Sequence, residues 1–299
     1  MTFVSGPVRV TVPATSANLG SGFDSLGLAL ELRDELEAVV IPDGLDIQVT
    51  GEAADEVATD EGHLVVRAMR AAFDAMGEQP PGLRLTCRNE IPHARGLGSS
   101  AAAIVGGIHL ARALVEGGRS TLKDPAAFQL AARLEGHPDN VAAASFGGLT
   151  VAWTEDEVVH AAPTQVAPGI GAVAFVPPTP VSTEVARGLL PATVPHGDAA
   201  AAAGRTALLV AALGTGWTAK LHDATRDWLH QEYRRPAMPD SLALVDALRV
   251  EGHAAVVSGA GPTVLVLTDG AGVERVRGHA PAGWRCRSLE VATDGVRLG

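Results

Sequence analysis

The sequence predicts an α+β protein of two domains, 1–160 and 161–299, with the break somewhere in the stretch 155–170. Three observations predict it. Segments alternating apolar and polar residues interleave with segments at helical spacing, and glycine-rich corners separate them. The chain also changes character after "FGGLTVAW", where the proline-dense "APTQVAPGIGAVAFVPPTPVST" follows.

In the first half, "VRVTVPAT" from Val8, "LDIQVTG" from Leu45 and "LRLTCRNEI" from Leu83 alternate as half-buried strands do. Between the last two, "HLVVRAMRAAFDAMG" has apolar residues at helical spacing and stops on Gly77, a residue suited to a left-handed C-cap. A second helix is expected over about 100–115, closed by Gly117 and Gly118. A third, "DPAAFQLAARLEG", takes Asp124 as N-cap and Pro125 as its first residue, and its end at Gly136 runs into "HPDN". The second half reads as a strand "GAVAFV", a helix over about 183–190, an alanine-rich helix from Ala199 and a helix over about 241–250. Strands "AAVVSG" and "TVLVLT", a helix and a last strand complete it.

At 299 residues, 46% of them hydrophobic, the chain can fill a core of its own. Its formal charge of -11 argues against a nucleic-acid or anionic-membrane partner, because long-range repulsion opposes the encounter. Any phosphate must therefore be held locally. Lys123 and Lys220 are the only lysines, which leaves few candidates for a catalytic lysine. Cys87 and Cys286 fit neither a disulfide framework nor a CxxC site. The N-terminus lacks a basic region followed by an apolar one, and the apolar stretch from Ala199 is interrupted by Arg205. The expectation is a soluble cytoplasmic protein.

Four motifs carry candidate chemistry. "GLGSSAA", residues 96–102, lies between a strand and a helix, so its amides and the helix dipole converge on one spot suited to phosphate. Gly96 and Gly98 allow positive φ, and Ser99 and Ser100 can donate to phosphate oxygens or ligate Mg²⁺. A Walker loop would need a lysine after the last glycine, and the dinucleotide fingerprint lacks its third glycine. "PATSANLGSGFDSLGLAL", residues 13–30, reads as a polar loop that presents Thr15, Ser16, Asn18 and Asp24 to a ligand. "LEGHPDN", residues 134–140, sets Glu135 on a last helical turn before His137, Asp139 and Asn140; Glu135 is the candidate Mg²⁺ carboxylate. "VVSGAGPTVLVL", residues 256–267, makes a rigid turn whose amides can approach a loop or ligand. Each motif alone also fits a capped turn without a ligand.

Taken together, the four resemble the homoserine kinase branch of the GHMP kinase superfamily in order and spacing, over roughly the whole chain. The resemblance implies an N-terminal domain like the second domain of ribosomal protein S5, a C-terminal ferredoxin-like domain and a cleft between them. It implies ATP and Mg²⁺ as cofactors, L-homoserine as acceptor, O-phospho-L-homoserine as product in threonine biosynthesis, and a homodimer. The phosphate loop would be Pro92, His93, Ala94, Arg95, Gly96, Leu97, Gly98, Ser99, Ser100, Ala101 and Ala102, with Ser100 and Glu135 on the metal. Asp24, Glu135 and Thr183 would form the catalytic group. Asn18, Asp24, His137, Asn140, Arg187 and Arg234 would hold the substrate, Asp24 on its ammonium and the arginines on its carboxylate, with Arg235 the other register for Arg234. Sister kinases use an Asp and Lys pair near the acceptor hydroxyl; the lysine is missing here, which points to a reaction without a dedicated base. A kinase for another small alcohol and a catalytically silent relative remain the alternatives.

Overall fold

The computed structural model describes residues 2–299. The first lobe is built on a long antiparallel hairpin, β1 (Val8–Asn18) and β2 (Gly22–Ile41). β3 (Gly44–Gly51), α1 (Leu64–Met76) and β4 (Gly82–Asn89) form a β-α-β unit in which β4 runs parallel to β3 and antiparallel to β2. After it come α2 (Ser99–Leu114), the single turn α3 (Gly118–Thr121), α4 (Asp124–Glu135) and α5 (Pro138–Phe146). The hairpin β5 (Leu149–Glu155) and β6 (Val158–Thr164) then joins the first half of β2.

The second lobe contains β7 (Ile170–Val176), α6 (Thr183–Gly188), α7 (His196–Thr215), α8 (Leu221–Ala224), α9 (Pro239–Val250), β8 (Ala254–Val257), β9 (Val264–Asp269), α10 (Gly270–Arg277) and β10 (Arg285–Glu290). Its sheet is antiparallel with order β10-β7-β9-β8. A β-α-β-β-α-β succession with that strand order is ferredoxin-like. The last strand, β11 (Arg297–Leu298), crosses back to pair with β1, so the chain end is stitched to the first sheet.

Strand periodicity decides which face packs where. Ala172, Ala174 and Val176 of β7 point into a core shared with the first lobe, whereas Val173 and Phe175 point to the side covered by Leu242, Val245 and Leu248 of α9 and Val276 of α10. α2 is buried on nearly every side. A Cβ on its Gly107 would lie 2.5 Å from the Val65 carbonyl oxygen, and one on Gly106 would lie 2.4 Å from a Leu36 methyl, so both glycines let neighbouring elements close on the helix.

Several expectations need correction. Residues 13–30 are not a loop: they form the closed end of the β1–β2 hairpin, and only residues 19–21 lie outside its strands. Their polarity is met by buried hydrogen bonds described below. Asp124 is the first helical residue of α4 and makes no capping bond, because its carboxylate pairs with the buried Arg112 of α2. The division expected at 160/161 falls inside β6, which pairs with β5 along its whole length; the change of sheet lies between Thr164 and Ile170.

Asp34, on the inward face of β2, accepts the amides of Glu90 (2.7 Å) and Ile91 (2.9 Å) and so fixes the chain where it leaves β4 for the "GLGSSAA" segment. Burial raises its pKa from 3.8 to about 6 despite those two bonds. A folded-state value above the unfolded one means that stability present below pH 3.8 is lost as pH rises to about 6, a cost of about 3 kcal/mol at neutral pH. Asp34→Asn keeps the accepting oxygen and cannot ionise. Its stability relative to the wild type, followed by denaturant titration, should improve between pH 4 and pH 7 by about that amount; a pH-independent difference would contradict the assignment.

Candidate active site

Between the lobes lies a cleft of about 330 Å³, walled by Gly96–Ser100, the α4–α5 junction, the start of α6, Arg234 and the turn after β8. Backbone contacts among distant segments build it. Thr15 N donates to Leu97 O (3.0 Å), Gly259 N to Ala17 O (3.0 Å) and Thr263 N to Arg95 O (3.2 Å). The Ser258 hydroxyl bridges Gly96 O (2.6 Å) and the Ser16 hydroxyl (2.8 Å), while Thr15 Oγ1 donates to Asn140 Oδ1 (2.8 Å). A Cβ on Gly96 would sit 2.2 Å from Ser258 O, and one on Gly98 1.9 Å from Thr15 Oγ1. Both glycines also have positive φ, +78° and +71°.

Gly98 is the N-cap of α2, and the first helical bond runs from Ala102 N to Gly98 O (2.9 Å). The amides of Ser99, Ser100 and Ala101 therefore precede the intrahelical ladder and carry the positive end of a 16-residue helix dipole. Opposite them, Ser100 Oγ donates to Glu135 Oε2 (2.6 Å). Burial raises the Glu135 pKa above the ordinary glutamate value, with the Ser100 bond and His137 opposing the shift. At His137 burial disfavours the imidazolium, but the bond to Asp139 (Nδ1 to Oδ1, 3.2 Å) and the charges of Asp139 and Glu135 outweigh it and raise the pKa.

The far side of the cleft is cationic. Arg187 grips Asp24 with two hydrogen bonds, 2.7 and 3.1 Å, and Asp24 raises the Arg187 pKa further while burial opposes it. Arg234 is 1% exposed. It donates to the carbonyls of Gly259 (3.0 Å) and Ala186 (3.3 Å) and to His230 Nδ1 (3.0 Å). Burial first, and then the Arg187 charge, bring its pKa down to about 10, so it stays charged at neutral pH. Among the described residues no carboxylate lies within 4.0 Å of it, whereas Arg235 points outward to Glu232 (2.7 Å) and Asp246 (3.0 Å). Both cleft guanidiniums stand over one ring, Phe23, at 5.8 and 5.6 Å, and His230 stacks on the same ring at 5.2 Å.

Of the eleven residues expected to form the phosphate loop, Ala94, Gly96, Gly98, Ser99 and Ser100 reach this cleft. Pro92, Leu97, Ala101 and Ala102 are buried in packing, and Arg95 braces the loop against the carbonyls of Pro177 and Pro178 in the second lobe. His93 and Ala94 line an adjoining pocket of about 360 Å³ that shares Ser99 and Ser100 with the cleft. Asn18, Glu135, His137, Asn140, Thr183, Arg187 and Arg234 all line the cleft. Asn18 braces as it does so: its carbonyl accepts Asp24 N (3.0 Å) and its amide donates to Gly259 O (2.7 Å). Sequence reasoning missed Phe23, His230 and, in the adjoining pocket, His63. His63 is 6% exposed, with Nδ1 lacking a hydrogen-bond partner. The signal available for His63 was its place just ahead of the first residue of α1.

The donor set at Ser100 and Glu135 consists of hard oxygens, which fits Mg²⁺ completed by phosphate oxygens and water. A larger crease of about 830 Å³, lined by glycine-rich backbone around Gly147, Gly169 and Gly171, lacks such convergent charge.

Comparison with known proteins agrees with this geometry. Residues 63–148 match the GHMP kinases N terminal domain and residues 209–285 the GHMP kinases C terminal domain. The chain belongs to the GHMP kinase family, and within it to the homoserine kinases. It is 53% identical to a homoserine kinase of Streptomyces avermitilis over 99% of this chain and 97% of that one. It is 50% identical to a homoserine kinase of Leifsonia xyli over 97% of this chain and 91% of that one. The crystal structure of homoserine kinase from Cytophaga hutchinsonii superposes with a TM-score of 0.86 at 25% identity, covering 100% of both chains.

The loop geometry can be tested at Gly98. Gly98→Ala should lower stability by about 2–4 kcal/mol, since it adds a clash with Thr15 to a left-handed φ. Combined with Thr15→Ala, the loss measured by thermal unfolding should be smaller than the sum of the single effects. Strict additivity would mean that the clash is not the cause.

Proposed function

We infer that this chain transfers the γ-phosphoryl group of ATP to the side-chain hydroxyl of L-homoserine, giving O-phospho-L-homoserine and ADP. The observation that carries the reading is the pairing, across one cleft, of a helix N-terminus with two guanidiniums around Phe23. The first suits an oligophosphate, and the second, with Asp24, suits an amino-acid zwitterion.

The amides of Ser99 and Ser100 hold phosphate oxygens, and the nucleoside occupies the adjoining pocket. There burial lowers the pKa of His63 and His93, so both are neutral and can meet a base edge. Ser100 and Glu135 would hold Mg²⁺, which would supply charge neutralisation at the transferring group. Homoserine binds by partner exchange: its ammonium takes the place of Arg187 on Asp24, and its carboxylate draws Arg187 toward Arg234. Two forks around a planar carboxylate set the direction in which the hydroxyl points, with Thr183 beside its path. Phosphoryl transfer has a loose transition state, so positioning and charge neutralisation supply the acceleration and no base of high pKa is needed. His137, whose pKa rises against burial through the Asp139 bond and charge and then Glu135, lines the cleft between Glu135 and Asn140. The reading places the enzyme in the cytoplasm, where ATP and amino-acid precursors meet, and takes a homodimer from the family resemblance. No described helix is long and apolar enough to cross a membrane.

Coupled ADP detection with homoserine, mevalonate, galactose and shikimate tests the acceptor: homoserine alone should give rapid turnover, and a faster rate with any other alcohol would overturn the reading. Glu135→Gln keeps an acceptor for Ser100 but not the charge, and should lower kcat on the order of 100-fold while raising the Mg²⁺ concentration needed for half-maximal rate. Unchanged turnover at saturating Mg²⁺ would remove the metal role. Arg234→Lys keeps the charge and loses the fork, so KM for homoserine should rise about 10- to 100-fold with KM for ATP nearly constant. Equal rises in both would count against the carboxylate contact.

A further inference from the structure

Glu251, His253 and His279 gather on the surface of the second lobe, away from the cleft, with one ligating atom from each lying within 4.8 Å of the other two. They come from two pieces of backbone, the α9–β8 turn and the segment after α10. Glu251 follows the end of α9, His253 precedes β8 and His279 follows α10. Each position is tied down: Gly252 N donates to Arg249 O (3.0 Å), His253 N to Leu248 O (3.0 Å) and His279 N to Val276 O (3.1 Å). Gly252, at φ +86°, makes the turn that sets the Glu251 and His253 side chains near each other.

The ring nitrogens are oriented as well. His279 Nδ1 lies 3.2 Å from the Val276 carbonyl oxygen, an acceptor only, and Nε2 faces Glu251 Oε2 at 2.9 Å. A ring N–H donated to a backbone carbonyl is the usual support of a metal-bound histidine. At that separation the imidazole nitrogen and the carboxylate oxygen either share a hydrogen bond or ligate one metal ion. The His253 ring stands 5.6 Å from that of His279 at 70°, so its nitrogen can approach the same point from another side. The C-terminal ends of α9 and α10 both run to this spot, and their partial negative charge favours a cation.

We propose that Glu251, His253 and His279 form a site for one late first-row divalent ion, Zn²⁺ by preference, which clasps the end of α10 to the α9–β8 turn. Two imidazoles and a carboxylate are a borderline-soft donor set that suits Zn²⁺ over Mg²⁺, and three protein ligands leave a position for water. The ion is structural, since the cluster shares no residue with the cleft. A plain Glu251–His279 ion pair is the competing account, and it has no use for His253.

That difference defines the experiment. Full-length protein is titrated with ZnCl₂ in excess MgCl₂, which keeps the hard-oxygen site saturated, and compared with His253→Ala. The wild type should bind one more Zn²⁺ than the variant, or bind it at least about tenfold more tightly, and its Tm should rise with Zn²⁺ more than that of the variant. Co²⁺ should give visible absorption bands in the wild type that His279→Ala abolishes. Turnover of His253→Ala without Zn²⁺ should equal the wild type, showing that the variant is folded. Equal Zn²⁺ binding by wild type and His253→Ala, or none by either, would overturn the proposal.

Discussion

The approach of three backbone segments at Gly96 and Gly98 is the constraint on which the rest of the structure depends. The hairpin end at Thr15–Asn18, the loop ahead of α2 and the turn Ser258–Gly261 meet so closely that no side chain fits at either glycine. Hydroxyls rather than apolar groups fill the seam: Thr15, Ser16 and Ser258 are fully buried and hydrogen-bonded. Buried hydroxyls without partners would each cost about 1–3 kcal/mol, so the seam holds in one register or not at all. Its consequence is functional. The amides at the start of α2 are fixed in direction before any ligand arrives, which is what electrostatic preorganisation requires.

An acidic chain thus binds anions by local means. With a formal charge of -11 it has no long-range attraction for phosphate, and the cleft compensates with amides, a helix end and two guanidiniums over one aromatic ring, Arg234 held by backbone carbonyls and Arg187 by Asp24. Arg234, buried without a carboxylate partner, is the charge a substrate carboxylate would complete, and under the proposed exchange the Asp24–Arg187 pair would open to receive the ammonium and carboxylate of the acceptor. The two halves of the site belong to different lobes, which share one core through the inner face of β7 and are tied again by β11.

Much of this was legible in the amino-acid order. α1 and α4 showed themselves through apolar spacing and through Gly77 and Gly136, which adopt the left-handed φ of +104° and +89° that their C-cap positions require. The helix-opening loop and the helix-end Glu135 were visible because their chemistry is local. β2 was not, because Asp34 occupies one of its inward positions and breaks the alternation that Leu32, Leu36 and Ala38 would otherwise display. The hairpin end looked like a solvated loop for a related reason: its hydroxyls and amides find partners more than a hundred residues away in sequence. Phe23 and His230 join the site across a similar distance. The choice between Arg234 and Arg235 turned on one residue of register in the 3₁₀ turn Glu232–Ala237, which no pattern of polarity distinguishes.

A crystal structure with a nonhydrolysable ATP analogue, Mg²⁺ and L-homoserine bears most directly on the central claim, that the fixed amides opening α2 receive the phosphates while the arginines receive the acceptor. It should show phosphate oxygens on the amides of Ser99 and Ser100, the homoserine carboxylate between Arg187 and Arg234, and the Asp24–Arg187 pair opened onto the ammonium. A triphosphate lying instead in the crease beside Gly147 and Gly169, with Asp24 still paired to Arg187, would contradict it.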